Sequence, residues 1–274
     1  MSRRVRLDAE LVRRGMARSR DQASELIAEG KVKVAGMVAH KAATQVTTDQ
    51  AILVSELEES RWVSRGAHKL IGALEVFEPL GLTVSETVVL DAGASTGGFS
   101  QVLLERGVSR IHAVDVGYGQ LAWKLQQDPR INQLDRTNVR SLTVEDLGEP
   151  VDLVVSDLSF ISLTTVLPAL STVCQSDGDM VLMIKPQFEV GKDKLGKNGV
   201  VREPELHVES VHKVTSAAAR LGWGTRALAP SPLPGPAGNI EYFCWLTTTA
   251  LEPGLESIRA VVAQRPHVRE GNTP

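Results

Sequence analysis

The feature that most constrains this sequence is a glycine-rich turn, DAGASTGGF, at residues 91–99. It follows a short apolar run over 87–90 and precedes a helical pattern over 100–106. A strand that ends in such a turn and opens a helix can hold a ligand against backbone N–H groups, and glycine lets the backbone approach closely. The phosphate-loop pattern G-x-x-x-x-G-K-[ST] is absent, which argues against a nucleoside triphosphate.

The glycine spacing also departs from the dinucleotide fingerprint, because Gly93, Gly97 and Gly98 are four and one residues apart. The D-x-G-x-x-x-G-G pattern is instead similar to the first motif of methyltransferases that bind S-adenosylmethionine. This resemblance implies a cofactor site, with a dinucleotide site or a turn without a ligand as the alternatives. The predicted cofactor contacts from the turn are Asp91, Gly93, Ala94, Ser95, Thr96, Gly97, Gly98 and Phe99.

Composition argues against several other classes of protein. The charged N-terminus is not followed by an apolar segment, so we expect no secretion signal, and no apolar run approaches the eighteen residues of a membrane span. Cys174 and Cys244 lie far apart in apolar surroundings, which favours buried thiols over a disulfide or metal site, and the histidines lack metal-ligand spacing. We therefore expect a cytoplasmic protein with neither a metal nor a membrane partner. The sequence indicates no protein partner.

Charge is distributed unevenly along the chain. The whole sequence has a net charge of −3, whereas its first fifty residues contain ten Lys or Arg and six Asp or Glu. That segment is therefore basic and the remainder acidic. A small basic module joined to a larger acidic one indicates a possible contact with nucleic acid.

The pattern of the basic segment predicts a compact α+β module. One helix is expected over 7–14 and a second from Ser19, where Gln22 completes a capping-box pattern. Short strands are expected over 31–34, 37–38 and 51–54. The ordered run R-L-D-x-x-L-V-R-R-G…S-R-x-x-A-x-x-L-I-x-x-G-x-V-x-V-x-G resembles the alpha-L RNA-binding motif of ribosomal and RNA-modifying proteins.

This resemblance implies RNA binding, although a solvated charged face could explain any single arginine. Aromatic residues make up 4% of the chain, so recognition of folded RNA by shape and 2′-hydroxyls is favoured over base stacking. Basic side chains dominate contacts with the phosphate backbone. The predicted RNA contacts are Arg4, Arg6, Arg18, Arg20, Lys31, Lys33, Lys41 and Arg65.

The acidic stretch over 56–60 predicts a boundary between an RNA-binding domain (1–60), a linker (61–64) and a second domain (65–274). Beyond 87, strand and helix patterns alternate, which predicts parallel pairing with right-handed crossovers. The last two strands should pair antiparallel, because the Pro/Gly loop between them has no room for a crossover helix. The expected fold is α/β, a seven-stranded, mostly parallel Rossmann-like sheet of the class I methyltransferase type. Strands are predicted near 87–92, 109–115, 131–134, 151–157, 179–185, 223–229 and 242–248, and helices near 97–106, 118–127, 163–173, 205–221 and 254–264.

Ligands of such sheets bind beyond the carboxyl ends of the strands. Asp115 follows the second strand, where it could bind ribose hydroxyls or merely cap a helix, and Asp135 follows the third as a candidate near the adenine. Asp157 follows the fourth and is a further candidate cofactor contact. Lys185 follows the fifth strand, where a buried lysine is unusual. A structural salt bridge is the alternative for this lysine. Glu241 directly precedes the seventh strand.

Several motifs together resemble one family: SRGAHKL, DAGASTGGF, DVGYGQLAW, DLVVSDLSFISL, KPQFEVGK and SPLPGPAGNIEYF. They are similar to the TlyA family of rRNA (cytidine-2′-O)-methyltransferases, whose catalytic half is related to the FtsJ-type RNA methyltransferases. The FtsJ-type Lys–Asp–Lys–Glu tetrad falls here on Lys69, Asp157, Lys185 and Glu241. Two departures indicate a different substrate fit: Ser95-Thr96 replaces the usual proline, and Leu158-Ser159-Phe160 replaces an Ala-Pro-Asn type sequence.

The resemblance implies methyl transfer from S-adenosylmethionine to ribose 2′-hydroxyls of cytidines in 16S and 23S rRNA, which influences sensitivity to capreomycin-type antibiotics. The long, glycine-containing segment 187–203, which is basic in its middle, is expected to be a lid that meets RNA, or else an idle surface loop. Base methylation is disfavoured, because neither an N-P-P-Y type motif nor a nucleophilic cysteine of the carbon-5 type is present. Members of the family have also been labelled haemolysins, which is the alternative outside enzymes.

Overall fold

The structure is a computed structural model that describes residues 4–17, 20–28, 30–54 and 61–264. Contacts divide the chain into two compact units, Met1–Arg61 and Trp62–Pro274. At the start of the second unit, Trp62 packs edge-on against His68, and the N–H of Val63 donates to Gln101 Oε1 at 2.8 Å. The first unit and the second are each built around a hydrophobic core of their own.

The first unit is a small α+β module, as the sequence predicts. The helix expected over 7–14 is confirmed, whereas the expected Ser19 cap lies outside the described residues. Apolar side chains of both helices and three strands form its core, among them Leu11, Ile27 and Val46. Its elements are β1 (Arg4–Arg6), α1 (Leu7–Arg13), α2 (Arg20–Ala28), β2 (Val32–Val34), β3 (Met37–Val38), β4 (Gln45–Thr47) and β5 (Ile52–Val54), with antiparallel sheets β1-β4 and β3-β2-β5.

The second unit alternates strands and helices along the chain. Its strands are β6 (Val88–Ala92), β7 (Arg110–Val114), β8 (Ile131–Leu134), β9 (Val151–Ser156), β10 (Cys174–Ile184), β11 (Gly224–Pro230) and β12 (Tyr242–Thr247). Its α-helices are α3 (Gly66–Phe77), α4 (Gly98–Glu105), α5 (Trp123–Gln126), α6 (Val144–Leu147), α7 (Leu163–Val173), α8 (Pro186–Glu189), α9 (Pro204–Arg220) and α10 (Leu255–Ala263).

The seven strands of this unit form one sheet in the order β11-β12-β10-β9-β6-β7-β8. Strand β12 is antiparallel to both of its neighbours, and the other pairings are parallel. The predicted antiparallel pair at the end of the chain is therefore confirmed. None of the helices within the described residues is both long and apolar enough to span a membrane.

Helices cover both faces of the sheet, so its central strands are apolar on both sides. On one face, α3 and α4 pack through Leu70 and Leu103, against inward residues such as Val89. On the other face, α7, α9 and α10 pack against residues such as Leu90. This three-layer arrangement leaves the strand ends as the open edge on which a site can be built.

Two predicted elements differ in the structure. The helix expected over 118–127 is limited to α5, because the preceding residues form a loop in which Gly119 has φ +64° and Gly117 N–H donates to Asp115. The strand expected over 179–185 begins earlier, at Cys174, and its pairing with β9 is irregular between Cys174 and Asp179.

Candidate active site

The residues predicted at the strand ends lie along one edge of the sheet. The parallel strands β6 to β10 end there, and the antiparallel β12 begins there, since Tyr242 pairs with Ile184. Continuing that register by one residue places Glu241 opposite Lys185. The same edge carries Asp91, Asp115, Asp135 and Asp157.

The first ion pair joins α3 to the start of β12. Lys69 Nζ lies 2.5 Å from Glu241 Oε2, and both side chains are buried. Gln187 Nε2 donates to the other carboxylate oxygen at 3.4 Å, and Met183 Sδ lies 3.9 Å from Lys69 Nζ. A buried pair of this kind is costly to break, because removing one partner leaves an uncompensated charge.

The second ion pair joins the ends of β9 and β10. Lys185 Nζ lies 2.6 Å from Asp157 Oδ1, with angles outside those of a hydrogen bond, and donates to Ser159 Oγ at 2.8 Å. Lys185 is buried, whereas the side chain of Asp157 keeps 23% of its exposure. The Lys185 side chain is thus held in place, while the Asp157 side chain stays partly accessible.

The glycine turn comes close to this second pair. Gly93 has φ +90°, and a Cβ atom there would lie 3.0 Å from the carbonyl oxygen of Asp157. Gly97 has φ +92°, and its Cβ would lie 2.3 Å from Leu125 Cδ1. Both positions therefore require glycine for backbone conformation and for space.

The N–H groups of the turn are used differently from the expectation that they hold a ligand. Those of Gly93 and Ala94 both donate to the carbonyl oxygen of Val114, at 2.9 and 3.1 Å. The N–H of Ser95 donates to Asp115 Oδ2 at 2.9 Å. These bonds fix the shape of the turn. The turn therefore contributes to a site by the close approach of its backbone to neighbouring segments and by the placement of Asp115.

Three other predicted contacts of the turn serve packing. A Cβ atom on Gly98 would lie 2.2 Å from Ser64 Oγ, so glycine allows α4 to begin close to the residues before α3. Phe99 is buried against Phe243, with ring centroids 6.1 Å apart. The carbonyl oxygen of Thr96 accepts from the N–H of Ala122 at 3.2 Å, which ties the turn to the start of α5.

Two carboxylates beyond the turn are each fixed by two donors. Asp115 Oδ1 accepts from Gly117 N–H at 2.7 Å, and its Oδ2 accepts from Ser95 N–H. Asp135 accepts from Gly119 N–H and from Gln133 Nε2, both at 2.9 Å. Each oxygen keeps a second lone pair, so both side chains can accept hydrogen bonds from a ligand's hydroxyl or amino groups.

Asp91 is fully buried at the end of β6 and is only partly paired. Its Oδ2 accepts from Ser100 Oγ at 2.6 Å, and its Oδ1 is buried without a hydrogen-bond partner. Burial raises the pKa of this carboxyl to about 7; nearby Asp157 and Asp115 add to the rise, and the Ser100 hydrogen bond opposes it. An orphaned carboxylate oxygen beside a glycine cradle fits a cationic ligand such as S-adenosylmethionine.

Exposed aromatic side chains lie near the strand ends, and the sequence patterns assign no role to them. Phe160 is 91% exposed with φ +64°, and its ring lies 5.3 Å from that of Phe188. Tyr118 is also exposed, and the guanidinium of Arg136 lies 4.3 Å from its ring centroid. The departure at Leu158-Ser159-Phe160 was the sequence signal that could have pointed to Phe160.

In the first unit, two predicted RNA contacts share one buried carboxylate. Arg6 donates to Asp8 through Nε and Nη2, and Arg20 donates to the same side chain through Nη2 at 2.9 Å. These arginines hold the pKa of Asp8 well below its usual range, with the Arg6 hydrogen bonds as the largest cause. Both guanidinium groups stay about half exposed, so their outer N–H groups can reach a partner.

A second carboxylate of α1 has a similar arrangement. Glu10 is buried and accepts from Arg13 and Arg14, which lower its pKa to about 2 against the cost of burial. Of the remaining predicted RNA contacts, Arg4, Lys41 and Arg65 are exposed, and Lys31 and Lys33 are half-buried. Arg18 lies outside the described residues.

Other chemistry is sparse in the described part of the chain. No group of three His, Cys, Asp or Glu side chains within it is arranged to hold a metal ion. Cys174 and Cys244 are buried thiols, and burial raises the pKa of each to about 12. A cavity of about 410 Å³ lies between β11 and α10, and none of the predicted site residues lines it.

The sheet, its strand-end ion pairs and the glycine turn define a Rossmann-like methyltransferase joined to a small RNA-binding type of module. Residues 62–248 match the FtsJ-like methyltransferase family and residues 5–52 match the S4 domain. The chain belongs to the TlyA family, which combines these two parts, so the predicted family and fold class are confirmed.

Relatives of known name cover nearly the whole chain. It is 57% identical over 248 residues to the 16S/23S rRNA (cytidine-2′-O)-methyltransferase TlyA of Mycobacterium tuberculosis, covering 90% of this chain and 91% of that protein. It is 34% identical to Hemolysin A of Brachyspira hyodysenteriae, covering 87% and 98%. A solved structure of a hemolysin-like protein from Streptococcus thermophilus superposes with a TM-score of 0.75 at 36% identity, covering 96% of each chain.

Proposed function

We propose that this protein transfers the methyl group of S-adenosylmethionine to the ribose 2′-hydroxyl of cytidines in rRNA. The observation that carries the proposal is the pair of contacts between a buried lysine and a carboxylate, Lys69–Glu241 and Lys185–Asp157, on the edge that holds the glycine turn. Support for the substrate class comes from the M. tuberculosis relative, whose name states rRNA cytidine 2′-O-methylation.

The residues around the turn would hold the cofactor. Gly93 and Gly97 let the turn pack closely against Asp157 and Leu125, Asp115 and Asp135 offer acceptors, and the orphaned oxygen of Asp91 would favour a cationic ligand. When bound, S-adenosylmethionine supplies a methyl group on a sulfonium, which is already a good leaving group. The task left to the protein is to orient and activate the hydroxyl, and orientation can supply up to about 7–11 kcal/mol.

In this proposal Lys185 handles the proton of the 2′-hydroxyl. Its Nζ accepts that proton as a neutral amine or stabilises the developing oxyanion as a cation. Asp157 and Ser159 fix the position of Nζ, at 2.6 and 2.8 Å. Glu241 lies opposite Lys185 in the continued register, so the buried Lys69–Glu241 pair borders the place where the acceptor hydroxyl would lie.

RNA would be held by both units. In the first unit, Arg6 and Arg20 present fixed guanidinium groups to phosphates, together with the exposed Arg4 and Lys41. In the second, exposed rings such as Phe160 can stack on an unpaired base near Lys185. The low aromatic content of the chain favours recognition by shape over stacking, and the exposed position of this ring adds stacking as a local contact.

Within the segment 187–203, only part fits the proposed lid. The side chain of Asn239 accepts from Val201 N–H at 3.0 Å and donates to the Gly199 carbonyl at 3.1 Å. These bonds fix the C-terminal part of the segment. Lys194 pairs with Glu209 on α9 at the surface. We propose that the exposed residues around Lys194 meet RNA when this pair exchanges for a phosphate.

The proposal extends to both ribosomal subunits as substrates, to action in the cytoplasm where ribosomes are found, and to an influence on sensitivity to capreomycin-type antibiotics. The 16S/23S name of the relative supports the two subunits. A strain that lacks the protein should lose the methyl groups of both rRNAs, and its growth inhibition by capreomycin should change in parallel.

The direct test is methyl transfer by the purified protein. Small and large subunits from a strain that lacks the modification are incubated with labelled S-adenosylmethionine, and the product is mapped by primer extension and mass spectrometry. Lys185→Ala should reduce single-turnover transfer by at least about 100-fold, whereas Arg259→Ala, an exposed cation on α10, should leave it unchanged. Transfer to neither subunit, or full activity of Lys185→Ala, would overturn the proposal.

A haemolysin activity is the second candidate, because the B. hyodysenteriae relative carries that name. It makes a different prediction: erythrocytes should release haemoglobin without added S-adenosylmethionine, and Lys185→Ala should not change the release. Methylation of a base instead of the ribose would show in the same mass spectra as a methyl group that remains on the released nucleobase.

A further inference from the structure

The two segments that carry the proposed proton-handling residues lie beyond the last residue pair that joins β9 to β10. Parallel pairing of β9 with β10 ends at Ser156 and Leu182. The loop 157–162 follows the first strand and holds Asp157 and Ser159, whereas Lys185 and α8 follow the second. Something other than this pairing must therefore hold the loop 157–162 against α8.

The side chain of Glu189, at the end of α8, makes that connection. It is 5% exposed, and its carboxylate accepts from Leu163 N–H at 2.7 Å and from Ser162 Oγ at 2.6 Å. These donors lie at the start of α7, so a residue from another element satisfies an N–H of the first helical turn. Lys213 on α9 lies 3.3 Å from the carboxylate and donates to the Glu189 carbonyl at 2.7 Å.

The contacts on the site side of this connection involve the same two segments. Phe188 on α8 packs against Phe160 of the loop. Lys185 Nζ contacts Asp157 and Ser159 of the loop as well. The loop 157–162 is therefore held to the Lys185 segment at both of its ends, by the Lys185 contacts at one and by Glu189 at the other.

We propose that Glu189 is a positioning residue for methyl transfer: it fixes the loop 157–162 against α8, so that Asp157 and Ser159 keep Lys185 Nζ at the acceptor hydroxyl. The inference rests on the proposed function of Lys185. Glu189 does not touch the reacting atoms and acts through the loop. Glu189 lies at the start of the segment 187–203, and the sequence alone assigns it no role.

Replacing Glu189 with glutamine keeps its size and removes its charge. The amide can still accept from Leu163 N–H, but it loses the charge-assisted bond to Ser162 and the partner of Lys213. A displacement of about 1 Å in a reacting group can cost up to about 100-fold in rate. We expect a 10- to 100-fold fall in the single-turnover rate constant. The dissociation constant for S-adenosylmethionine should change much less than the rate constant, because the proposed acceptors Asp115 and Asp135 are held by donors outside the loop 157–162.

The experiment compares Glu189→Gln with Glu149→Gln in the full chain. Glu149 is a matched control, since its carboxylate also pairs with a basic side chain, Arg110, at 2.7 Å. It precedes β9 and therefore lies at the edge of the sheet opposite the site. Methyl transfer is measured in single turnover with saturating cofactor and ribosomal subunits, cofactor binding by calorimetry, and thermal unfolding by circular dichroism. Glu149→Gln should keep the wild-type rate.

A double-mutant cycle separates positioning from general weakening of the fold. If Glu189 acts by placing Asp157, Glu189→Gln should reduce the residual rate of Asp157→Asn by less than about threefold. A merely structural role predicts that the two losses multiply. Wild-type transfer by Glu189→Gln, or multiplying losses, would overturn the proposal.

A second variant keeps the test decisive if Glu189→Gln does not fold. Ser162→Ala removes one donor to the carboxylate without changing charge, and it should lower the rate about 3- to 10-fold. When it is combined with Asp157→Asn, the two losses in rate should again not multiply. Wild-type rates for Lys185→Ala and Asp157→Asn would instead refute the proposed function, whatever the behaviour of Glu189.

Discussion

Replacing Asp91 with asparagine should stabilise the second unit at high pH, because the native carboxylate is then charged while it is buried and only partly hydrogen-bonded. Asp91 is fully buried, Oδ1 has no partner, and its pKa is about 7 instead of 3.8. A raised carboxyl pKa means that the folded state holds a proton which the unfolded state has already released. The stability linked to that proton is complete below about pH 4 and is lost as the pH rises through about 7.

The size of the effect follows from the pKa shift. Each pKa unit corresponds to about 1.4 kcal/mol, so the wild type should lose about 3 kcal/mol between pH 5 and pH 8 through this group alone. The amide that replaces the carboxyl in Asp91→Asn cannot ionise and can still accept from Ser100. The free energy of unfolding of Asp91→Asn minus that of the wild type should therefore rise by about 3 kcal/mol over this interval.

The measurement is guanidinium chloride unfolding at pH 5 and pH 8, followed by tryptophan fluorescence. All four tryptophans lie in the second unit, so the signal reports on the unit that contains Asp91. Asp128→Asn is the control: Arg130 lowers the pKa of Asp128, so this group is ionised throughout the interval and its stability difference should stay constant. A constant difference for Asp91→Asn would refute the reasoning.

Three further predictions concern the cofactor and RNA. Asp91→Asn should weaken S-adenosylmethionine binding at pH 8, measured by calorimetry, since it removes the buried negative charge that we propose favours the cationic cofactor; unchanged affinity would count against that role. Gly97→Ala should lower cofactor affinity at least about 10-fold by the same method, because the new Cβ would meet Leu125 and φ is +92°. Gly107→Ala is the control: its backbone is strained in the same way at φ +79°, but its Cβ would contact nothing, so cofactor affinity should not change. Arg20→Ala should weaken RNA binding and reduce the slope of log K against log salt by about 1, which filter binding over a salt series can measure, while Arg259→Ala should change neither quantity.

The elements that the sequence predicted well are those whose signal is local. Apolar runs bounded by glycine or by acidic residues located all seven strands of the second unit, and the Pro/Gly loop before β12 correctly predicted antiparallel pairing. The prediction of a helix over 118–127 was only partly right, because the helix there is limited to Trp123–Gln126. The N–H of Gly119 donates to Asp135 Oδ2, which lies 16 residues away, so a tertiary hydrogen bond overrode a favourable local pattern at the start of that window.

The partners of the site residues could not be read from the sequence. Motifs gave Lys69, Asp157, Lys185 and Glu241 as a set, but the division into Lys69–Glu241 and Lys185–Asp157 pairs depends on how helix α3 packs against the ends of β9, β10 and β12. The carboxylate of Glu189 is a similar case. Its donors at the start of α7 lie 26 and 27 residues away in sequence, and only the fold brings them within hydrogen-bond distance.

The sequence by itself determined the class of fold, the family and the residues that line the strand ends, because periodicity, glycine placement and motif order are properties of short segments. The tertiary structure decided how those residues act on one another. It showed that the N–H groups of Gly93, Ala94 and Ser95 are used within the protein and that Asp91 is an orphaned acid at the glycine turn. Burial and charge pairing arise between segments far apart in the chain, so they exist only once those segments have packed together.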